Sequence, residues 1–137
     1  LQTNKVKFAV QIFDYIHSVD SEKLARKIAD EQNKMNKKIK IFLQVNIGDE
    51  SQKSGINKNE VGKLVSFSKE IGLNVIGLMC IPPVNSDPEG YFVEMNKLNM
   101  DLGLKELSMG MSSDYLIASK NFSTYIRVGS SIFGQRS

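Results

Sequence analysis

Residues 38–50 read Lys-Ile-Lys-Ile-Phe-Leu-Gln-Val-Asn-Ile-Gly-Asp-Glu. From Ile39 to Ile47 the stretch is dominated by Ile, Phe, Leu and Val, side chains that suit a pleated strand. A strand this apolar is covered on both faces, the situation of a parallel sheet wrapped by crossover helices. Four other runs share its character: Tyr15 to Val19, Asn74 to Ile81, Glu106 to Met109 and Tyr125 to Val128. Amphipathic stretches lie between them. Strand and helix in alternation predict right-handed parallel crossovers and an α/β class.

The helical stretches carry their own punctuation. After Asp20, read as an N-cap, Leu24, Ala25, Ile28, Ala29 and Met35 share one face, while Lys23, Arg26, Lys27 and Glu31 take the other. Asn57 with Glu60 forms a capping-box-like start, Val61, Leu64, Val65 and Ile71 supply the stripe, and Gly72 stops it. Asp87-Pro88 opens the next helix, with Phe92, Met95, Leu98 and Leu102 on one face and Gly103 at its end. A shorter helix is expected from Ser113 to about Asn121. Lys34, Lys37, Lys38 and Lys40 read as a solvated helix end, where cations suit the dipole.

The chain has 137 residues, 41% hydrophobic and 24% charged, with a net charge of +3, which fits one domain over 1–137. One Cys and one His exclude an internal disulfide and a Cys-based zinc cluster, and no spacing of carboxylates points to another metal. No run approaches the ~18 apolar residues of a membrane span. The basic excess lacks the stripe interleaved with aromatics or Gly that marks a nucleic-acid footprint, so neither membrane nor nucleic acid is an expected partner. The chain opens Leu1-Gln2-Thr3-Asn4 without an initiator Met or signal-peptide pattern, which reads as a cut beginning. Five strands in this length amount to about five eighths of a (β/α)8 barrel of ~200 to 250 residues. The alternation alone also admits a doubly wound sheet.

In either architecture ligands sit at the C-terminal ends of the strands. Two such junctions, Met109-Gly110-Met111-Ser112-Ser113 and Gly129-Ser130-Ser131, combine Gly, Ser and the start of a helix. Free backbone N–H groups, a hydroxyl and a positive helix end together make a phosphate cradle. The same serines also read as ordinary helix caps. Arg127 shares a strand face with Gly129 by alternation. Asn4 and Asn46 sit at strand ends and are expected to point into the mouth. Met79, Met109 and Met111 flank the pocket, as lining or as core filling. His17 ends a strand with no partner identifiable in the sequence and reads as a structural histidine, and Cys80 as a small buried hydrophobe.

Six ordered segments carry a resemblance: Leu-Gln-Thr-Asn-Lys at 1–5, Ile-His-Ser-Val-Asp at 16–20, Gln-Val-Asn-Ile-Gly-Asp-Glu-Ser-Gln-Lys-Ser-Gly at 44–55, Gly-Leu-Met-Cys-Ile-Pro-Pro at 77–83, Leu-Ser-Met-Gly-Met-Ser-Ser-Asp at 107–114 and Arg-Val-Gly-Ser-Ser-Ile-Phe-Gly-Gln-Arg at 127–136. Together they resemble the pyridoxal phosphate homeostasis protein family, single-domain relatives of the barrel of bacterial alanine racemase. The resemblance implies a parallel (β/α)8 TIM-type barrel of which this chain supplies the last five β/α units. It implies pyridoxal 5′-phosphate (PLP) at the strand C-termini, with Ser112, Gly129 and Ser130 on the phosphate and Arg127 facing the pyridine nitrogen. Ser130 stands where many relatives have Thr, and the hydroxyl survives. A guanidinium at that nitrogen keeps it unprotonated and weakens PLP as an electron sink.

That chemistry fits what the resemblance implies: a cytoplasmic carrier of PLP with no established turnover, which passes the cofactor to apo PLP-dependent enzymes and is monomeric at full length. The Schiff-base lysine of the family is expected upstream of Leu1, so no catalytic residue is assigned and the 137-residue chain alone is expected to bind PLP weakly or not at all. Lys53 resembles a loop lysine that assists passage of PLP through the barrel mouth, and it also reads as simply solvated. Two other readings stay open: a PLP-dependent amino-acid racemase on the same barrel, and a phosphate-binding isomerase or aldolase. The first lacks a matching tyrosine among Tyr91, Tyr115 and Tyr125; the second has only Asp49 and Glu50 near the Asn46 strand end.

Overall fold

The structure is a computed structural model that describes residues 1–51, 54–83 and 86–109. A 3-10 turn at Thr3–Lys5 leads into α1 (Val6–Ile12), followed by β1 (Tyr15–Val19), α2 (Glu22–Lys34), β2 (Lys40–Asn46), β3 (Ile56–Asn57), α3 (Val61–Glu70), β4 (Asn74–Met79), α4 (Pro88–Asp101) and β5 (Glu106–Ser108). The four longer strands pair in the order β1-β2-β4-β5, and two-residue β3 pairs with β2. Every pairing is parallel, with Ile16 against Ile41, Ile41 against Val75 and Gly77 against Glu106 in register. The predicted strands at 15–19, 39–47, 74–81 and 106–109 are therefore present. The one at 125–128 and the helix at 113–121 lie outside the described residues.

Burial on both sides of the sheet explains the unbroken apolarity of 39–47. On one side Ile41, Leu43 and Val45 of β2, Val75 and Leu78 of β4, and Leu107 of β5 join the cores of the helices: Val6 and Val10, Leu24 and Ile28, Leu64, Phe92 and Met95. On the other side Phe42, Gln44, Met79 and Ser108 are buried outside that cluster. At Gly77 β4 runs close against β5. A Cβ there would run into the backbone carbonyl of Glu106 and lie 3.0 Å from Phe42 Cε1.

Helix starts follow capping chemistry with two corrections. Asp87 accepts from Glu89 N at 3.1 Å and Pro88 takes the first turn, as predicted. The cap of α2, however, is Ser21, whose Oγ accepts from Leu24 N at 3.1 Å; Asp20 is used elsewhere. Asn57 does not cap α3 either. Its Oδ1 accepts from Asn59 N at 2.8 Å in a turn, and α3 starts after Glu60 without a side-chain cap.

The lysine run is also reassigned. Lys37 Nζ donates to the carbonyls of Val10, Gln11 and Phe13 at 2.7, 3.3 and 3.4 Å, closing the C-terminal end of α1. Lys38 Nζ donates to Gly72 O at 3.0 Å, just past the end of α3. These cations serve the ends of neighbouring helices, where exposed carbonyls attract them. Glu31, read as polar surface, is buried, with its carboxylate 3.2 Å from Lys27 and 3.6 Å from Lys34. The Lys27 hydrogen bond holds its carboxyl below the ordinary Glu value.

Candidate functional site

Parallel pairing brings the C-terminal ends of β1, β2, β4 and β5 to one end of the sheet. The side chains opposite the helix-packed cluster form its inner surface. Here strands at the two ends of the described row meet: His17 Nδ1 of β1 and Ser108 Oγ of β5 share a hydrogen bond of 2.6 Å, although β2 and β4 stand between them in the sheet. Only a strongly curved sheet permits that contact, and curvature of this kind is what closes a barrel. The His17 ring stacks on Phe42 at 4.3 Å between centroids, with the planes 28° apart. Ser108 is fully buried, and its carbonyl accepts from Cys80 N at 3.2 Å. Met79, at the end of β4, is buried in register with Gln44.

Above this floor the loop after β2 is tied to the strand ends by side chains. Asn46 uses both ends of its amide on one residue: Nδ2 donates to Glu50 O at 2.6 Å and Oδ1 accepts from Glu50 N at 3.1 Å. Asp20 Oδ2 accepts from Gly55 N at 3.0 Å, which joins the end of β1 to the far end of the same loop. Gly55 has φ +112°, and a Cβ there would lie 2.7 Å from Asn46 N, so both conformation and space require glycine. Gly48 abuts the Pro83 ring, where a Cβ would collide. Lys58 Nζ, in the turn after β3, pairs with Glu94 of α4 at 2.9 Å, and that contact raises the Lys58 pKa.

The residues singled out in the sequence are placed as follows. Met79 and Asn46 lie at strand ends on the inner side. Asn46 is committed to loop geometry, which makes it a holder of the mouth. Asn4 lies exposed in the 3-10 turn before α1, with Leu1 N donating to Ser18 Oγ at 3.2 Å near the end of β1. Lys53, Ser112, Arg127, Gly129 and Ser130 lie outside the described residues. Sequence reasoning missed Ser108 and Asp20 as site-forming residues and set His17 aside. Among the described residues no three His, Cys, Asp or Glu side chains converge on a metal site, and no helix is long and apolar enough to cross a membrane. A cavity of about 250 Å³ lined by Lys69, Ile76, Lys105 and Glu106 opens at the starts of β4 and β5, the end opposite the loops.

Comparison with known proteins agrees with this geometry. Residues 1–137 match the family described as alanine racemase, N-terminal domain. The pyridoxal phosphate homeostasis protein of Aquifex aeolicus is 36% identical over 99% of this chain and 64% of its own length. That of Escherichia coli K12 is 33% identical over 99% and 62%. The chain thus spans less than two thirds of these relatives. PipY of Synechococcus elongatus superposes with a TM-score of 0.92 without PLP and 0.89 with PLP bound, at 32% identity over 98% of this chain and 67% of PipY. The arginine decarboxylase of Paramecium bursaria Chlorella virus, 18% identical with a TM-score of 0.66, shares the fold alone. The chain belongs to the alanine racemase N-terminal domain family.

Proposed function

We propose that this chain binds pyridoxal 5′-phosphate at the C-terminal ends of its parallel strands, as part of a cytoplasmic protein that holds the cofactor in reserve and passes it to apoenzymes. The observation that carries the reading is the match to PipY, a protein solved with PLP bound, at a TM-score of 0.89 over 98% of the chain. The described inner surface fits a small planar ligand: an aromatic floor of His17 on Phe42, a buried hydroxyl at Ser108, and the thioether of Met79. When bound, PLP supplies an aldehyde that condenses with amines.

In this reading Ser112, Gly129 and Ser130 hold the phosphate, Arg127 meets the ring nitrogen, and Lys53 assists passage at the mouth. Asn46 and Asp20 keep the mouth loop in place, and Asn4 belongs to its outer rim. The finer architecture is a (β/α)8 barrel in which these are the last five units. Two observations support it: among the described residues β1 pairs with β2 alone in the main sheet, and Phe8, Ile12 and Phe13 stand exposed on and just after neighbouring α1. Binding of PLP to the 137-residue chain alone is expected to be reversible and weak, in the millimolar range where free energies are about −4 kcal/mol. Equilibrium dialysis against PLP tests this. Saturable binding that washes out is expected, and absence of binding at millimolar PLP refutes it.

A further inference from the structure

We infer that the outer face of α1 and the outer edge of β1 form one docking surface for a parallel β/α segment, an inference that rests on the barrel reading above. Helix α1 is apolar on two opposite sides. Val6, Ala9 and Val10 are buried in the helix-packed core. Phe8 and Ile12, one turn apart on the other side, are 59% and 68% exposed, and Phe13 just beyond the helix is 55% exposed. A seven-residue helix that is apolar on both sides is built to be covered on both. The exposure is also concentrated: of six large exposed hydrophobic side chains among the described residues, Leu1, Phe8, Ile12 and Phe13 all lie in the first thirteen positions. Exposed Lys5, Lys7, Gln11 and Asp14 surround them, the polar rim that marks an interaction patch.

Beside this patch β1 is the last strand in the described order, pairing with β2 alone. A strand added there extends a sheet whose described pairings are all parallel, and the helix that follows a parallel strand packs on the outside of the sheet. One β/α segment thus covers the strand edge and Phe8 with Ile12 together, as α2 and β2 already cover the other side of α1 and β1. The curated relatives hold such material: a little over a third of their length has no counterpart in this chain. A second copy of the chain fits worse. A two-fold axis would pair β1 with β1 antiparallel and set Lys5 and Lys7 against their own copies.

The test uses the full 137-residue chain and, as a separate polypeptide on a soluble carrier, the portion of the Aquifex aeolicus relative that lies outside the match. Calorimetry without PLP is expected to show a one-to-one complex, with no heat from the carrier alone. Phe8→Asp and Ile12→Asp are each expected to weaken it about tenfold or more, whereas Val93→Asp, at an exposed apolar position of α4, changes it less than about twofold. Because Phe8 and Ile12 are exposed, both variants keep the wild-type urea midpoint. Docking is also expected to slow hydrogen–deuterium exchange across β1. No complex, equal losses from Phe8→Asp and Val93→Asp, or a wild-type chain that is already dimeric through Phe8 and Ile12 overturns the inference. A complex that needs Phe8 and Ile12 but leaves exchange across β1 unchanged refutes the barrel reading and the inference with it. Failure to dock by a chain that binds PLP in dialysis overturns the inference alone.

Discussion

At Gly77 the absence of a side chain is what lets β4 and β5 meet. A methyl group there collides with the Glu106 backbone, which cannot rotate away. Gly77→Ala is therefore expected to destabilise the chain by about 3 kcal/mol, read as a lower urea midpoint with unchanged slope; an unchanged midpoint contradicts the packing. Lys37 makes the opposite kind of contribution, one cation satisfying three carbonyls at the end of α1. Lys37→Met keeps the aliphatic stem and removes the donor, at an expected cost of about 1 to 2 kcal/mol in the same measurement. How far such roles are legible in a sequence depends on their reach. Asp87 caps a helix two residues away and was read correctly. His17 and Ser108 are 91 residues apart, and only the curved sheet makes them partners. Glu31 looks like any polar surface residue until its two flanking lysines are seen to cover it.

Among the elements, strands were easier to read than helix ends. Two-sided burial writes itself into β2 as a continuous apolar run, whereas α1 is seven residues long and its Phe8 and Ile12 face outward, which erases any helical stripe. The caps at Ser21 and Glu60 differ from those expected because Asp20 and Asn57 are used by a loop and a turn. The loop after β2 has a testable consequence. Removing the Asp20 carboxylate frees Gly55 N and unpins one end, so Asp20→Ala should speed tryptic cleavage after Lys53 several-fold at native temperature. Equal cleavage rates would show that Asp20 does not hold the loop. On α2, Glu31 has a lowered pKa, so its contribution to stability is present above the unfolded value of about 4.5 and is lost as pH falls below it through the folded value. Glu31→Gln is expected to flatten the acid limb of a stability–pH profile below that pH and leave its neutral and basic regions parallel to wild type.

For the whole molecule, the alternation of strand and helix established the class, and six motifs in one register pointed to the family that the comparisons show. The site was legible only in part. The Gly and Ser junctions read as phosphate loops lie outside the described residues, and the floor of His17, Phe42 and Ser108 arises from three different strands and has no local signature. Family membership and the converging strand ends together support one proposal, that this chain recognises PLP through its phosphate at the C-terminal face of the sheet. Phosphorus NMR of PLP titrated with the 137-residue chain tests it most directly. The account predicts a saturable shift of the phosphate resonance that disappears on dialysis and is competed by inorganic phosphate; a phosphate resonance that stays at its free position throughout the titration would contradict it.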